Sequence, residues 1–321
     1  MEAKALWHIS EISSDLKEVG LAHNPKHCLV KSLYSLISLG TEKTVAKGRV
    51  PASIFSEMQV PFMQGSFDFP LTYGYSLIGK VIDGPKEYLD RNVHVLHPHQ
   101  DIVEVSPDDL YFLPPGIDLK IASLASNMET AINAVWDGNV SIGDKVLIVG
   151  FGLIGALVGT ILKNIPGLDL TIVEKNDHRI ALAKELGFRV LGETDLLRND
   201  FDLSFNASNS ESGLQLCIDS VDREGRIIEL SWFGDKSVSL RLGHDFHSKR
   251  KQIISSQVSQ IPGDKQSRWD VLRRKHLVFE LLKLKGIESL ITQEIHFNSS
   301  PEFFNEIRNS TINDLGVVIK Y

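Results

Sequence analysis

The segment Lys145-Val146-Leu147-Ile148-Val149-Gly150-Phe151-Gly152-Leu153-Ile154-Gly155 is an apolar run that enters Gly-x-Gly-x-x-Gly. Ala156 to Lys163 then has helical length and composition, and Leu170-Thr171-Ile172-Val173 is a second apolar run that ends on Glu174. In that order each residue type has a task. Gly150 permits the sharp exit from a strand, Gly152 lets a pyrophosphate approach the backbone, and Gly155 lets the helix pack closely on the sheet. The helix start offers free N–H groups and the positive end of its dipole to phosphate. Glu174 lies 24 positions beyond Gly150, near the spacing at which a carboxylate grips an adenosine ribose. The cofactor-binding set read this way is Gly150, Phe151, Gly152, Leu153, Ile154, Gly155, Glu174, Lys175 and Arg179, with Ala207 at the end of the strand Asp202 to Ala207. A carboxylate at Glu174 repels a 2′-phosphate and favours NAD. Lys175, His178 and Arg179 soften that preference and leave NADP open.

A nicotinamide cofactor carries the hydride, and the protein must handle one proton. His97 and His99 stand two apart on an extended segment, so they face the same way. They are the candidate groups for that proton. His94 points the other way on a regular strand, which argues against a metal held by the three histidines.

The elements that position these residues change in character along the chain. Up to about residue 112 it reads as short strands with frequent turns, Cys28 to Ile37, Ser76 to Ile82, Asn92 to Leu96 and Ile102 to Val105, which suggests a barrel-like β domain. Beyond it the pattern predicts helices over Ile121 to Trp136, over Asp177 to Leu186 with Asp177 as cap, and over Ser212 to Val221. Strands at Val190-Leu191, Asp202 to Ala207 and Arg226 to Ser231 alternate with them, as in a parallel sheet with right-handed crossovers. A helix over Trp269 to Leu284 carries Arg273-Arg274-Lys275, read as a solvated face. The stretch Ser299 to Tyr321 pairs a helix with a last strand that rejoins the β domain. Residues 1–115, completed by 265–321, form one expected domain, and residues 116–264 form the other.

The chain has 321 residues with 42% hydrophobic and 23% charged, in the ordinary globular range, and a net charge of −7. That charge argues against nucleic acid or an anionic membrane as partner. No apolar run reaches membrane-spanning length, and Met1 to His8 lacks a signal-peptide core. Cys28 and Cys217 are too few for a cysteine-built zinc lobe and fit a reducing cytoplasm.

The whole chain resembles the medium-chain dehydrogenase/reductase superfamily, and within it the zinc-binding alcohol dehydrogenase-like branch that includes bacteriochlorophyllide dehydrogenase-like proteins. The likeness is carried by the glycine motif and by Ser38-Leu39-Gly40-Thr41-Glu42, Tyr73-Gly74-Tyr75-Ser76, Leu96 to Asp101, Asn127 to Ala131 and Phe246 to Arg250. It implies an α/β chain with a GroES-like β-barrel domain and a Rossmann domain of doubly wound parallel sheet. It further implies NAD(P)-dependent oxidation or reduction of an alcohol/carbonyl pair on a polar small molecule, and, by analogy, a homodimer through the Rossmann sheet edge. Where zinc enzymes of the superfamily place their ligands, this chain reads Ser38, Gly74-Tyr75-Ser76 and a position near Ser126. Hydroxyls do not supply the soft or imidazole donors that catalytic zinc needs, so no metal is expected. The resemblance puts Tyr75 and Ser38 in the cleft as catalytic candidates beside His97 and His99, and Thr130 at the nicotinamide end, with Glu42 and Glu129 nearby. His247, Lys249 and Arg250 form a loop charge run that can meet an acidic group or only solvent. A non-catalytic nucleotide sensor and a quinone or enone reductase remain alternatives.

Overall fold

The computed structural model describes residues 2–22, 24–195, 199–310 and 312–321. Its strands are β1 (Glu2–Ser10), β2 (Ser13–Gly20), β3 (Cys28–Ile37), β4 (Leu71–Thr72), β5 (Leu77–Asp83), β6 (Asn92–Val95), β7 (Ile102–Val105), β8 (Tyr111–Phe112), β9 (Lys145–Val149), β10 (Asp169–Val173), β11 (Val190–Leu191), β12 (Phe201–Asn206), β13 (Val221–Glu229), β14 (Gln252–Ser255), β15 (Ile291–His296) and β16 (Gly316–Lys320). They divide into two compact units, Met1–Ser126 with Ile291–Tyr321, and Asn127–Leu290.

The first unit is β-rich. β2-β1-β4 form one sheet and β15-β16-β3-β5-β6-β8 another, with β7 also paired to β3. β3 and β7 span the residues the sequence predicts. β1 and β2 are a long antiparallel hairpin that the sequence reading did not single out. Apolar side chains such as Val30, Leu77, Val81, Val93 and Val105 fill one core. The helix Ser300–Asn309 contributes Phe303, Phe304 and Ile307 to a second. The last strand, β16, lies between β3 and β15.

The second unit is a doubly wound sheet of six parallel strands in the order β11-β10-β9-β12-β13-β14. The order reverses between β9 and β12, and ligands of such sheets bind outside the carboxyl ends of the strands at that point. The helix Leu153–Lys163 follows β9, Asp177–Glu185 follows β10 and Glu211–Ser220 follows β12. Asn176, not Asp177, caps the second of these, its side chain accepting the N–H of Arg179. The stretch expected as one helix over Ile121 to Trp136 is two, Leu119–Ala122 and Ala125–Asp137.

The unit boundaries fall later than 115 and 264. Leu119–Ala122 packs on β3 and β5. The helix Val271–Leu281 is pinned to Glu129 by Arg274 and Lys275, which keeps residues up to Leu290 in the second unit. These same contacts overturn the reading of residues 273–275 as a solvated face. Arg273 is exposed, but Arg274 is 4% and Lys275 1% exposed.

Candidate functional site

In the second unit the glycine turn is built by contacts that only glycine permits. Gly150 has φ +97°, and a Cβ there would stand 2.8 Å from the Ala207 carbonyl. A Cβ on Gly155 would stand 2.1 Å from the carbonyl oxygen of Gly150. Gly152 differs. Its φ is −77°, and an added Cβ would meet nothing closer than Arg179 Nη1 at 3.8 Å. The turn therefore leaves open space over Gly152, bounded by a guanidinium. The helix begins at Leu153, and the N–H groups of its first turn lack intrahelical acceptors.

Gly150, Gly152, Glu174, Lys175, Arg179 and Ala207 line one hollow at this place, and Ser208 and Ser210 extend it. Glu174 is buried. Its Oε2 accepts the N–H of Phe151 at 2.7 Å, and its Oε1 accepts those of Lys175 at 2.7 Å and Asn176 at 2.9 Å. The carboxylate thereby ties the end of β10 to the glycine turn. An ionised carboxylate has about four lone-pair positions, so Oε2 can still take a hydroxyl. Phe151 turns its ring into the core against Phe188, with centroids 5.5 Å apart, and does not line the hollow. Leu153, Ile154 and Gly155 do not line it either. Thr130 lies on the helix Ala125–Asp137, away from this lining.

The first unit holds a buried polar cluster. His99 is fully buried, with Nε2 2.9 Å from Glu42 Oε2 and Nδ1 2.7 Å from Ser35 Oγ. Ser35 Oγ lies 2.8 Å from the Tyr321 hydroxyl. The other oxygen of Glu42 accepts the Ser38 N–H at 2.7 Å. These contacts form one continuous chain from Tyr321 through Ser35 and His99 to Glu42. Gly74, at φ +122°, makes room for this imidazole, since a Cβ there would stand 2.9 Å from His99 Nε2. Both ring nitrogens of His99 are thus committed to protein partners. His99 orients Glu42 rather than presenting a nitrogen of its own.

Tyr75 stands beside this cluster. The hydroxyls of Ser38 and Thr41 bond to its phenol, and burial, reinforced by the Glu42 charge, pushes its pKa up to about 12. The phenol is a donor across the whole physiological range. Ser38 and Tyr75 are thus brought together, and the segment Leu39–Ala46 that carries Thr41 and Glu42 is a helix. His97 is 5% exposed, and burial lowers its pKa to about 4. Its Nδ1 lies 2.9 Å from the Pro98 carbonyl. That fixes the proton on Nδ1 and leaves Nε2 as an acceptor. The ring stacks on Phe62, whose centroid is 5.0 Å away and whose φ is +61°. His94 faces elsewhere, 3.1 Å from Ser76 Oγ and 3.2 Å from Ser126 Oγ. Sequence reasoning missed Ser35, Thr41, Phe62 and Tyr321. The residue types carried no signal, because hydroxyl and aromatic side chains are common and their partners are distant in the chain.

The residues at the zinc positions do not fit the metal. Ser126 Oγ donates to the Tyr75 carbonyl at 2.7 Å and Ser76 Oγ to the Ser123 carbonyl at 2.6 Å. Hydroxyls engaged in this way are poor zinc donors. Among the described residues no group of three or more His, Cys, Asp or Glu is arranged to hold a metal ion. The charge run at 247–250 is occupied locally, Lys249 with Asp222 and Asp245 at 3.2 Å each, and Arg250 with Glu224 at 3.0 Å.

No family model matches the chain. It is 31% identical over 129 residues to 2-dehydro-3-deoxy-L-galactonate 5-dehydrogenase of Pseudoalteromonas atlantica, covering 37% of this chain and 38% of that one. It is 25% identical over 205 residues to D-guloside 3-dehydrogenase of Escherichia coli K12, covering 60% and 59%. These matches span less than two thirds of either relative. The crystal structure of L-idonate 5-dehydrogenase from Escherichia coli superposes with a TM-score of 0.80 at 16% identity, over 100% of this chain and 99% of that one. The fold is that of medium-chain dehydrogenases, with a GroES-like and a Rossmann unit. In sequence the chain is also similar to a zinc-type alcohol dehydrogenase-like protein and to L-idonate 5-dehydrogenase, both of Escherichia coli, each at 24% identity over about half of either chain.

Proposed function

We propose that the chain is a zinc-independent, NAD(P)-dependent oxidoreductase acting on the alcohol/carbonyl pair of a small polar molecule. The observation that carries this reading is the open cradle over Gly152, bounded by Arg179, with Glu174 held beside it. Gly150, Gly152 and the first turn at Leu153 to Gly155 would hold the pyrophosphate, with Arg179 answering its charge. Glu174 would take the adenosine ribose hydroxyls, which favours NAD. Lys175 and Arg179 in the same hollow allow NADP. The E. coli relative L-idonate 5-dehydrogenase carries NAD(P)+ in its name, and the named relatives act on sugar acids and glycosides, which supports a polyhydroxylated substrate.

When bound, the nicotinamide supplies or takes the hydride. The proton is the task of the first unit. Tyr75, a protonated phenol fixed by Ser38 and Thr41, donates to the carbonyl oxygen as charge develops there. In the oxidative direction the same phenolic oxygen takes the proton back, and His97, neutral at pH 7 with Nε2 as an acceptor, receives a hydrogen bond from a substrate hydroxyl. Glu42 and His99 hold the Ser38 end of this arrangement in place. The open edge strand β14, with Ile253 exposed, is where a second copy would pair in a homodimer. Two buried free cysteines suit a cytoplasmic protein.

The test is NADH oxidation with a panel of keto-sugars, keto-acids and simple ketones. Tyr75→Phe is expected to retain NADH binding and to lower kcat about 100-fold or more. NADH binding with no turnover on any carbonyl, quinone or enone would replace this reading with a nucleotide sensor. Turnover lost on removal of stoichiometric zinc would overturn the metal-free half.

A further inference from the structure

The second unit contains a buried polar network that the reaction above does not use. Glu129, on the helix Ala125–Asp137, places Oε1 3.3 Å from Arg274 Nε and Oε2 2.5 Å from Lys275 Nζ. Arg274 Nη1 donates to Asn133 Oδ1 at 2.7 Å and to the Val258 carbonyl at 2.9 Å. Because its oxygen accepts from Arg274, the Asn133 amide is oriented with Nδ2 outward. Nδ2 donates to the carbonyls of Gln257 at 3.1 Å and Gln260 at 2.7 Å. Asn133 is itself 1% exposed and Glu129 5%.

The network thus grips three of the four carbonyls of residues 257–260. Ser256, next to them, is tied to Asp137 at 2.6 Å. This segment directly follows Ser255, the last residue of β14. It stands at the carboxyl end of a parallel strand, on the side of the order reversal opposite Glu174. A dinucleotide whose adenosine half lies on the β10 side and whose pyrophosphate lies at the β9 turn extends its other half over the ends of β12, β13 and β14. Gln257, Ser259 and Gln260 themselves are exposed. A guanidinium and a primary amide are suited to such a grip because each is a rigid plane with several donors.

We propose that Asn133, locked in orientation by Arg274 and Glu129, is a positioning residue for the nicotinamide half of the cofactor, acting through the backbone of residues 257–260. The proposal rests on the dinucleotide reading above. Its signature is an effect on one half of the ligand only. Asn133→Asp is nearly isosteric, keeps an acceptor for Arg274, and replaces the two donors by a carboxylate that repels the carbonyls. It adds a negative charge against the buried guanidinium of Arg274, so the fold should tolerate it.

The experiment compares NADH with ADP-ribose, which has the same adenosine and pyrophosphate but no nicotinamide, by titration of wild type, Asn133→Asp, Asn133→Ala and the exposed control Arg273→Ala. The expected result is an NADH Kd raised about tenfold in both Asn133 variants, with ADP-ribose affinity within about twofold of wild type and Arg273→Ala unchanged for both ligands. Equal weakening of both ligands, or unchanged NADH affinity in a folded Asn133→Asp, overturns the proposal. If Asn133→Ala does not fold, Asn133→Asp decides. Failure of wild type to bind either ligand refutes the dinucleotide reading itself, a different outcome.

Discussion

Replacing Gly152 by alanine separates ligand binding from folding. The backbone there, φ −77° and ψ −176°, is open to any residue, and the new methyl would meet only Arg179 Nη1, at 3.8 Å. Gly152 is the N-cap of the helix, where alanine is less favoured than glycine by about 0.5–1 kcal/mol, and this offsets the roughly 0.4–1 kcal/mol gained from the stiffer unfolded chain. The methyl instead fills the space through which a pyrophosphate reaches the turn. Losing one charge-assisted N–H···phosphate bond costs about 1.5–3 kcal/mol, or about 10- to 150-fold in Kd. Gly155→Ala is the contrasting case. Its Cβ would start 2.1 Å from the Gly150 carbonyl oxygen, so turn and helix must part by roughly 1 Å, and overpacking of that kind costs about 1–3 kcal/mol of stability. The assay is NADH fluorescence titration alongside thermal unfolding. Gly152→Ala should keep Tm close to that of the wild type and lose affinity, whereas Gly155→Ala should lose both. An unchanged NADH Kd in a fully folded Gly152→Ala would show that no phosphate lies over this turn.

Three other perturbations have defined outcomes. Glu129→Ala strands Arg274 and Lys275 without their carboxylate and should lower stability by about 3–5 kcal/mol, read as a shift of the urea midpoint at constant slope, while Arg273→Ala should leave the midpoint in place. Glu174→Ala leaves the Phe151 amide without its acceptor, a loss of about 1–3 kcal/mol, and should narrow the preference for NAD over NADP in side-by-side titrations. His97 has a folded pKa of about 4 against 6.5 when exposed, so only the unfolded chain takes up its proton between those values. Its contribution to stability is complete above about pH 6.5 and declines as pH falls toward 4, by about 3 kcal/mol in all. His8, lowered by burial to about 3, acts in the same direction. The measurement is therefore the difference in Tm between wild type and His97→Gln, which should vary across pH 4–7 and stay level above it.

The glycine turn was legible because its logic is local. Gly150, Gly152 and Gly155 act on backbone within a few residues of themselves, and the apolar run at 146–149 has no other reading than a strand buried on both faces. β3 and β7 were legible for the same reason, their β-branched and aliphatic residues declaring extended, half-buried chain. The polar cluster was legible in part. His97, His99, Tyr75 and Ser38 stand out by type, but the roles of the two histidines differ only because Glu42, 57 positions from His99, occupies one of its nitrogens. The hydroxyl of Tyr321, 286 positions from Ser35, had no sequence signal at all.

Residues 273–275 show the limit most plainly. As a string, Arg-Arg-Lys on an amphipathic helix reads as a wet face, and for Arg273 it is one. Arg274 and Lys275 are interior because Glu129, 145 and 146 positions away, meets them there. Steric rules of the backbone and the periodicity of apolar side chains are written in neighbouring residues, so the sequence by itself determined the strand–helix alternation of the α/β plan and the glycine turn. Whether a charge is desolvated, which nitrogen of an imidazole is free, and which backbone a buried amide grips depend on partners brought from afar. Burying an ion is tolerated only where an opposite charge and hydrogen bonds await it, and only the tertiary structure decides where that is.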